Sequence, residues 1–157
     1  MPLSTPDHHS NPTILVIDDE SEFREVTMRL IEPHLPEDWK LEAPGTLDDA
    51  MNMIRDRVIK LIFLDRNLSS EGYQPIAAGS RDYENTSGLD IAKWLKTHHP
   101  DIRKIAFSKG GLGCAQFNGH VEGKFPLKQD LNKKNYEGET ARGLFQALLL
   151  KEIDGLR

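Results

Sequence analysis

Asp18-Asp19, Asp65, Ser108 and Lys124 each close a short apolar stretch. The stretches are Thr13-Ile14-Leu15-Val16-Ile17, Leu61-Ile62-Phe63-Leu64, Arg103-Lys104-Ile105-Ala106-Phe107 and the weaker His120-Val121-Glu122-Gly123-Lys124. Three carboxylates can hold Mg2+, a hard cation that takes oxygen ligands and keeps several waters. A metal offsets the repulsion between a phosphate and a carboxylate, so that Asp65 can attack phosphorus and form an acyl phosphate. A lysine then balances charge on the phosphoryl oxygens, and a serine hydroxyl donates a hydrogen bond to one of them. Positioning and electrostatics carry most of such a reaction. Each residue alone has an ordinary explanation, since aspartate after a strand is a common helix N-cap. Four chemically matched strand ends in one order are harder to dismiss.

The elements that must hold these residues follow from periodicity. Continuous apolar runs bounded by charge read as buried strands of a parallel sheet. Phe23, Val26, Leu30 and Ile31 recur at helical spacing after the acidic pair. Asp19 is placed to cap that helix, with Glu22 completing a capping box, and Pro33 and Pro36 end it. Trp39 to Ala43 alternates like a short edge strand. Thr46 opens a second helix with Leu47, Ala50, Met51 and Ile54 on one face; its Asp48-Asp49 pair suits the helix macrodipole and needs no site. Ser87-Gly88-Leu89-Asp90 opens a third helix that ends before Pro100. A last amphipathic helix runs from about Glu139 to Ile153. Strand and helix alternate almost throughout, which predicts an α/β domain with a parallel sheet. In such a sheet the strand ends share one edge, where ligands bind.

Two stretches break the alternation. Asn67 to Ser87 has no clear period, and a loop of that length within a domain is usually functional or disordered. Lys109 to Gly119 is glycine-rich and lacks a helical face, so a helix expected there is short or missing. The first twelve residues are polar with three prolines. They read as a flexible leader (1–12) before a single domain (13–157), and His8 and His9 within them read as solvent-exposed.

Bulk composition narrows the class. With 38% hydrophobic and 29% charged residues the chain fits a soluble globular protein. A net charge of -5 argues against nucleic acid or an acidic membrane as the main partner. No apolar run approaches the ~20 residues of a membrane span. The single cysteine, Cys114, allows no internal disulfide and fits a reducing compartment such as the cytoplasm.

The motifs Ile14-Leu15-Val16-Ile17-Asp18-Asp19-Glu20, Leu61-Ile62-Phe63-Leu64-Asp65, Gly88-Leu89-Asp90, Ile105-Ala106-Phe107-Ser108 and Lys124 together resemble the receiver domain of two-component response regulators. The resemblance spans roughly residues 13–124. It implies a doubly wound, flavodoxin-like sheet of five parallel strands in the order 2-1-3-4-5. It implies Asp65 as phosphoacceptor, and Asp18, Asp19, Asp65 and the backbone carbonyl of Asn67 as Mg2+ ligands. Ser108 would be the switch hydroxyl and Lys124 the phosphoryl-binding lysine. The phosphoryl donor would be a sensor histidine kinase or phosphotransfer protein, and the output a further protein. Such a chain is a phosphoacceptor, with no turnover on an external substrate.

Departures from the family pattern are specific. Asp65 and Gly88 are separated by 22 residues, more than the pattern has, and Ser108 and Lys124 by 15, fewer than it has. Ser69 stands where a proline often follows the phosphoacceptor. Lys109 stands where a small residue often follows the hydroxyl, and could modulate access to Asp65. Val121 replaces an aromatic, and Phe125 separates Lys124 from Pro126.

These departures keep a second reading open: a degenerate receiver that binds partners without phosphate. A phosphohydrolase of the haloacid-dehalogenase type shares the Asp, hydroxyl, Lys order, but Asn67 stands where its acid/base aspartate belongs. A P-loop is excluded, because Gly119 to Lys124 is one residue short and Phe125 replaces the Mg2+-binding hydroxyl. Leu148-Leu149-Leu150 leaves a homodimer open, an exposed Leu150 being the feature that would favour one.

Overall fold

Alternate side chains of a strand point to opposite faces of its sheet. A strand that is apolar at every position must therefore be covered on both sides. The computed structural model, which describes residues 11–65, 88–108 and 117–156, satisfies that demand. β1 (Thr13–Ile17) is buried along its whole length. α1 (Ser21–Ile31) follows and passes into a 3-10 turn, Glu32–His34, where the prolines begin. β2 (Lys40–Glu42) is a short edge strand. α2 (Leu47–Asp56) starts at Thr46, whose side chain accepts from the backbone N–H of Asp49 at 3.1 Å. Then come β3 (Ile59–Leu64), α3 (Gly88–His98), β4 (Arg103–Phe107) and β5 (Gly123–Phe125). A 3-10 turn, Lys128–Asp130, leads into the final helix, α4 (Tyr136–Leu156). That helix is longer at both ends than periodicity suggests.

All strand pairs are parallel and the order is β2-β1-β3-β4-β5, the doubly wound arrangement expected. On one face Leu15, Ile17, Ile62 and Leu64 pack with Leu47, Met51 and Ile54 of α2 and Ile91 and Leu95 of α3. On the other, Ile14, Val16, Leu61 and Phe63 pack with Val26 and Ile31 of α1 and Phe145 and Leu149 of α4. Phe63, Phe107, Phe125 and Phe145 form a ring cluster there, with neighbouring centroids 5.3 to 5.8 Å apart. Of the connection between β4 and β5 only residues 117–122 are described beyond Ser108, and there Phe117 is fully buried against the α2–α3 layer. The stretch 109–116, with Lys109 and Cys114, lies outside the described residues, as do the expected loop over 67–87 and His8 and His9. Among the described residues no helix is long and apolar enough to cross a membrane.

The final helix is pinned at both ends. Arg103 donates to both carboxylate oxygens of Glu152, at 2.5 and 3.1 Å. Arg142 Nη1 donates to the carbonyls of Leu131 and Lys133, at 2.9 and 2.7 Å. The close approach of that connection leaves no room at Gly138, where a Cβ would lie 1.9 Å from the Lys133 carbonyl oxygen. Gly143 faces open space. Two substitutions in one helix should thus have opposite signs. Gly138→Ala is expected to destabilise by about 1–3 kcal/mol through overpacking against backbone. Gly143→Ala should stabilise by up to about 1 kcal/mol, the helix-propensity gain alone. Urea denaturation of both variants checks this, and equal effects would contradict the packing described.

Candidate functional site

The register of the sheet brings the acidic residues together. Ile17 of β1 is level with Leu64 of β3, so Asp18 and Asp65 leave the sheet side by side. The backbone N–H of Asp65 still bonds to the Ile17 carbonyl, at 2.9 Å. Oxygens of Asp18, Asp19 and Asp65 lie within 4.8 Å of one another. Asp18 is fully buried and Asp65 is 5% exposed. The backbone carbonyl of Asp18 accepts from Arg24 Nη1 at 2.8 Å. Its Oδ1 accepts from the Glu20 N–H at 3.0 Å. This replaces the expected capping box: the N-cap position of α1 is Glu20, without a side-chain cap. Asp18 can take that N–H because it is held rigidly at the strand end.

Lys124 does not reach this cluster. In β5 it pairs with Ala106, while Gly123 and Phe125 pair with Ile105 and Phe107. Phe125 is drawn into the aromatic cluster, so strand alternation turns Lys124 to the opposite face, where it is exposed. The ammonium in the site belongs to Lys128, in the 3-10 turn that follows. Lys128 is 0% exposed. Its Nζ is 2.5 Å from Asp18 Oδ2 and 3.3 Å from Asp65 Oδ1. It also stands 4.8 Å from the centroid of the Phe23 ring and 5.8 Å from that of Phe107. Cation–π attraction adds to the ion pairs in such a desolvated place. The assignment of Lys124 is thus corrected to Lys128. The sequence offers Lys128 as the next lysine after Phe125 and Pro126, but which of the two lysines enters the site depends on which face of β5 turns inward, and only the packing of the fold sets that.

Ser108 follows β4 at the same edge and is 3% exposed; its N–H bonds to the Phe125 carbonyl at 3.4 Å. Asn67 and Lys109 lie outside the described residues. The turn carrying Lys128 is tied to its surroundings by Asn132, which donates to Glu22 of α1 at 2.6 Å, and by Arg142 of α4.

Electrostatically the site is short of positive charge. Burial pushes the Asp65 carboxyl up to about 7, against the opposing pull of Lys128, with Asp18 and Asp19 adding to the rise. Asp18 is likewise raised, by burial first, although Lys128 and the Glu20 N–H act to lower it. Three carboxylates facing one ammonium are a donor set suited to a hard divalent cation. An octahedral Mg2+ with bonds of about 2.1 Å holds its ligand atoms about 3–4 Å apart. The span of these oxygens accommodates that with small side-chain adjustments. Asp18, Asp19 and Asp65 fit the group.

No family model matches this chain, and neither does any curated protein. Solved structures do. A DrrB receiver domain activated with BeF3 superposes with a TM-score of 0.60 at 12% identity, over 90% of this chain and 97% of that one. The receiver domain of NtrX from Brucella abortus gives 0.57 at 20% identity, over 88% and 98%. Response regulator TrrA from Thermotoga maritima, in complex with Mg(2+)-BeF, gives 0.56 at 15% identity, over 87% and 98%. This chain has the receiver-domain fold. In that fold the Asp18, Asp19, Asp65 cluster stands at the carboxyl edge of the sheet, where open α/β sheets place their ligands.

Proposed function

We propose that this protein is a phosphoacceptor of a two-component phosphorelay, taking a phosphoryl group on Asp65 from a phosphohistidine of a sensor kinase or phosphotransfer protein. The observation that carries this reading is the cluster of buried Asp18 and Asp65 with half-buried Asp19, the Lys128 ammonium standing between the two buried carboxylates. An Asp65 oxygen attacks phosphorus; the bond from phosphorus to the donor imidazole nitrogen breaks, and its electron pair stays on the imidazole. Bound Mg2+ would supply charge neutralisation for the incoming phosphoryl oxygens. Asp18 and Asp19 hold the metal side of the site. Lys128 supplies a positive charge within reach of Asp65, and a phosphoryl group there can draw the ammonium away from Asp18. Ser108 is the hydroxyl donor at the same edge. The chain turns over no external substrate, and its output is a contact with another protein.

A second reading rests on one distance. Lys128 lies closer to Asp18 than to Asp65, so the chain's own ammonium satisfies part of the metal side. A site neutralised from within would suit a receiver that binds partners without phosphate.

Intact mass after incubation with Mg2+ and acetyl phosphate separates the two. One phosphoryl adduct is expected on the parent. It should be absent from Asp65→Asn and absent without Mg2+. Beryllofluoride, which mimics the acyl phosphate, should bind the parent tightly with Mg2+. Failure of both adduct and mimic would overturn the phosphoacceptor reading in favour of the interaction module.

A further inference from the structure

A lysine ammonium carries three N–H donors. Among the described residues two oxygens stand within ion-pair distance of Lys128 Nζ, one each from Asp18 and Asp65. The side chain is wholly buried, so the third donor does not face bulk water. Aromatic carbon fills that side instead, with the Phe23 centroid at 4.8 Å and the Phe107 centroid at 5.8 Å. Phe107 is already packed between Phe125 and Phe145. Phe23 is the nearer ring, and it comes from α1, the helix that follows the acidic pair. Its backbone carbonyl accepts from the buried Thr27 hydroxyl at 2.6 Å. Its neighbour Glu22 accepts from Asn132, just past the turn that carries Lys128, at 2.6 Å. Helix and turn are thus tied together where ring and ammonium meet.

We propose that Phe23 is a positioning residue of this site: its ring face holds the Lys128 ammonium in place of a third oxygen and leaves it able to exchange Asp18 for a phosphoryl oxygen. The inference rests on the phosphoacceptor reading and adds to it a side chain that needs to touch neither metal nor phosphate. The reason lies in the form of the attraction. An oxygen acceptor holds one N–H along a narrow range of directions. A ring face attracts a cation broadly, within about 6 Å of its centroid. The contact therefore survives a small shift of Nζ from Asp18 toward a group on Asp65. An aliphatic residue at position 23 would leave the third donor buried and unpaired, which is costly. The ammonium would then settle more firmly on Asp18, its nearer partner. Mg2+ and the phosphoryl group would have to pull it away.

Fluorination of the Phe23 ring is the sharpest test, because it drains the negative ring face while nearly keeping the shape. The full chain carrying 4-fluoro-, 3,5-difluoro- or 3,4,5-trifluorophenylalanine at position 23 is titrated calorimetrically with beryllofluoride in the presence of Mg2+. Affinity is expected to fall with each added fluorine, by about three- to thirtyfold in all. Phe23→Leu should lose a similar amount. A double-mutant cycle in urea, Phe23→Leu with Lys128→Met, reads the contact without phosphoryl chemistry. It should show a coupling of about three- to thirtyfold in the folding constant. Circular dichroism confirms that each variant is folded; should Phe23→Leu unfold, the fluorinated series decides. No coupling in the cycle would overturn the ring contact. Coupling with an affinity indifferent to fluorine would overturn the positioning role. A parent that takes up no beryllofluoride would overturn the phosphoacceptor reading, and the positioning role with it, whatever the cycle gives for the contact.

Discussion

Replacing Lys128 by methionine is expected to destabilise the protein by about 3–5 kcal/mol at neutral pH without Mg2+, the usual cost of removing one partner from a buried ion pair. Methionine keeps nearly the same volume, so little of that loss is cavity formation. What is lost is the counter-charge. Asp18 is fully buried and Asp65 nearly so, and neither can turn to water. Both carboxyls would hold protons more tightly, so the penalty should shrink as the medium is made acidic. Millimolar Mg2+ should recover part of it by replacing the missing cation. Lys124→Met, on the exposed face of β5, is expected to stay within about 0.5 kcal/mol of the parent. Urea denaturation of both variants with and without Mg2+ is the measurement. Equal costs at the two lysines would return the site role to Lys124.

The second large effect is a pH dependence with an unusual sign. Most paired carboxylates stabilise a fold as pH rises. Asp65 should do the reverse, because burial raises its carboxyl from 3.8 to about 7 in the folded chain. Between those values the folded state binds more protons than the unfolded one, so stability falls as pH rises. The contribution is complete below about pH 4 and is lost by about pH 8. At roughly 1.4 kcal/mol for each tenfold change in proton affinity, the whole effect is at most about 4 kcal/mol. Asp65→Asn removes the titrating group while leaving the Lys128–Asp18 pair in place. That variant is expected to be more stable than the parent at about pH 8 and to show a shallower fall between pH 4 and 8, the remainder coming from Asp18, whose carboxyl burial also raises. Mg2+ should stabilise the parent more strongly above pH 7 than below, since the ion binds the deprotonated carboxylates. Thermal midpoints at a series of pH values, with and without Mg2+, test the point. A parent whose stability rises steadily from pH 5 to 8 would show that Asp65 is ionised in the folded state.

The acidic half of the site was legible in the sequence because it depends on local pattern alone. A run such as Leu61-Ile62-Phe63-Leu64 can be satisfied only by burial on both faces, and the next residue must then emerge at the sheet edge. The same logic holds for Ile17 followed by Asp18-Asp19, and for Phe107 followed by Ser108. Strand and helix alternation gave the parallel sheet, and the resemblance to receivers gave its order. Those features require no knowledge of what lies across the core.

The lysine could not be placed that way. Whether Lys124 or Lys128 enters the site depends on which face of β5 turns inward. That choice is made by Phe125 fitting among Phe63, Phe107 and Phe145, residues distant in the chain. Once Phe125 is inside, alternation expels Lys124 and the 3-10 turn delivers Lys128. The N-terminus of α1 was decided in the same manner. Asp18, fixed by its burial beside β3, takes the Glu20 N–H that Asp19 and Glu22 were placed to manage. The chain by itself therefore determined β1 to β4, its helices and the carboxylates at the strand ends, because burial of apolar runs is a local demand; the fifth strand, expected over residues 120–124, runs instead over Gly123–Phe125. Tertiary structure alone decided which cation faces those carboxylates, because that followed from packing among residues that only the fold brings into contact.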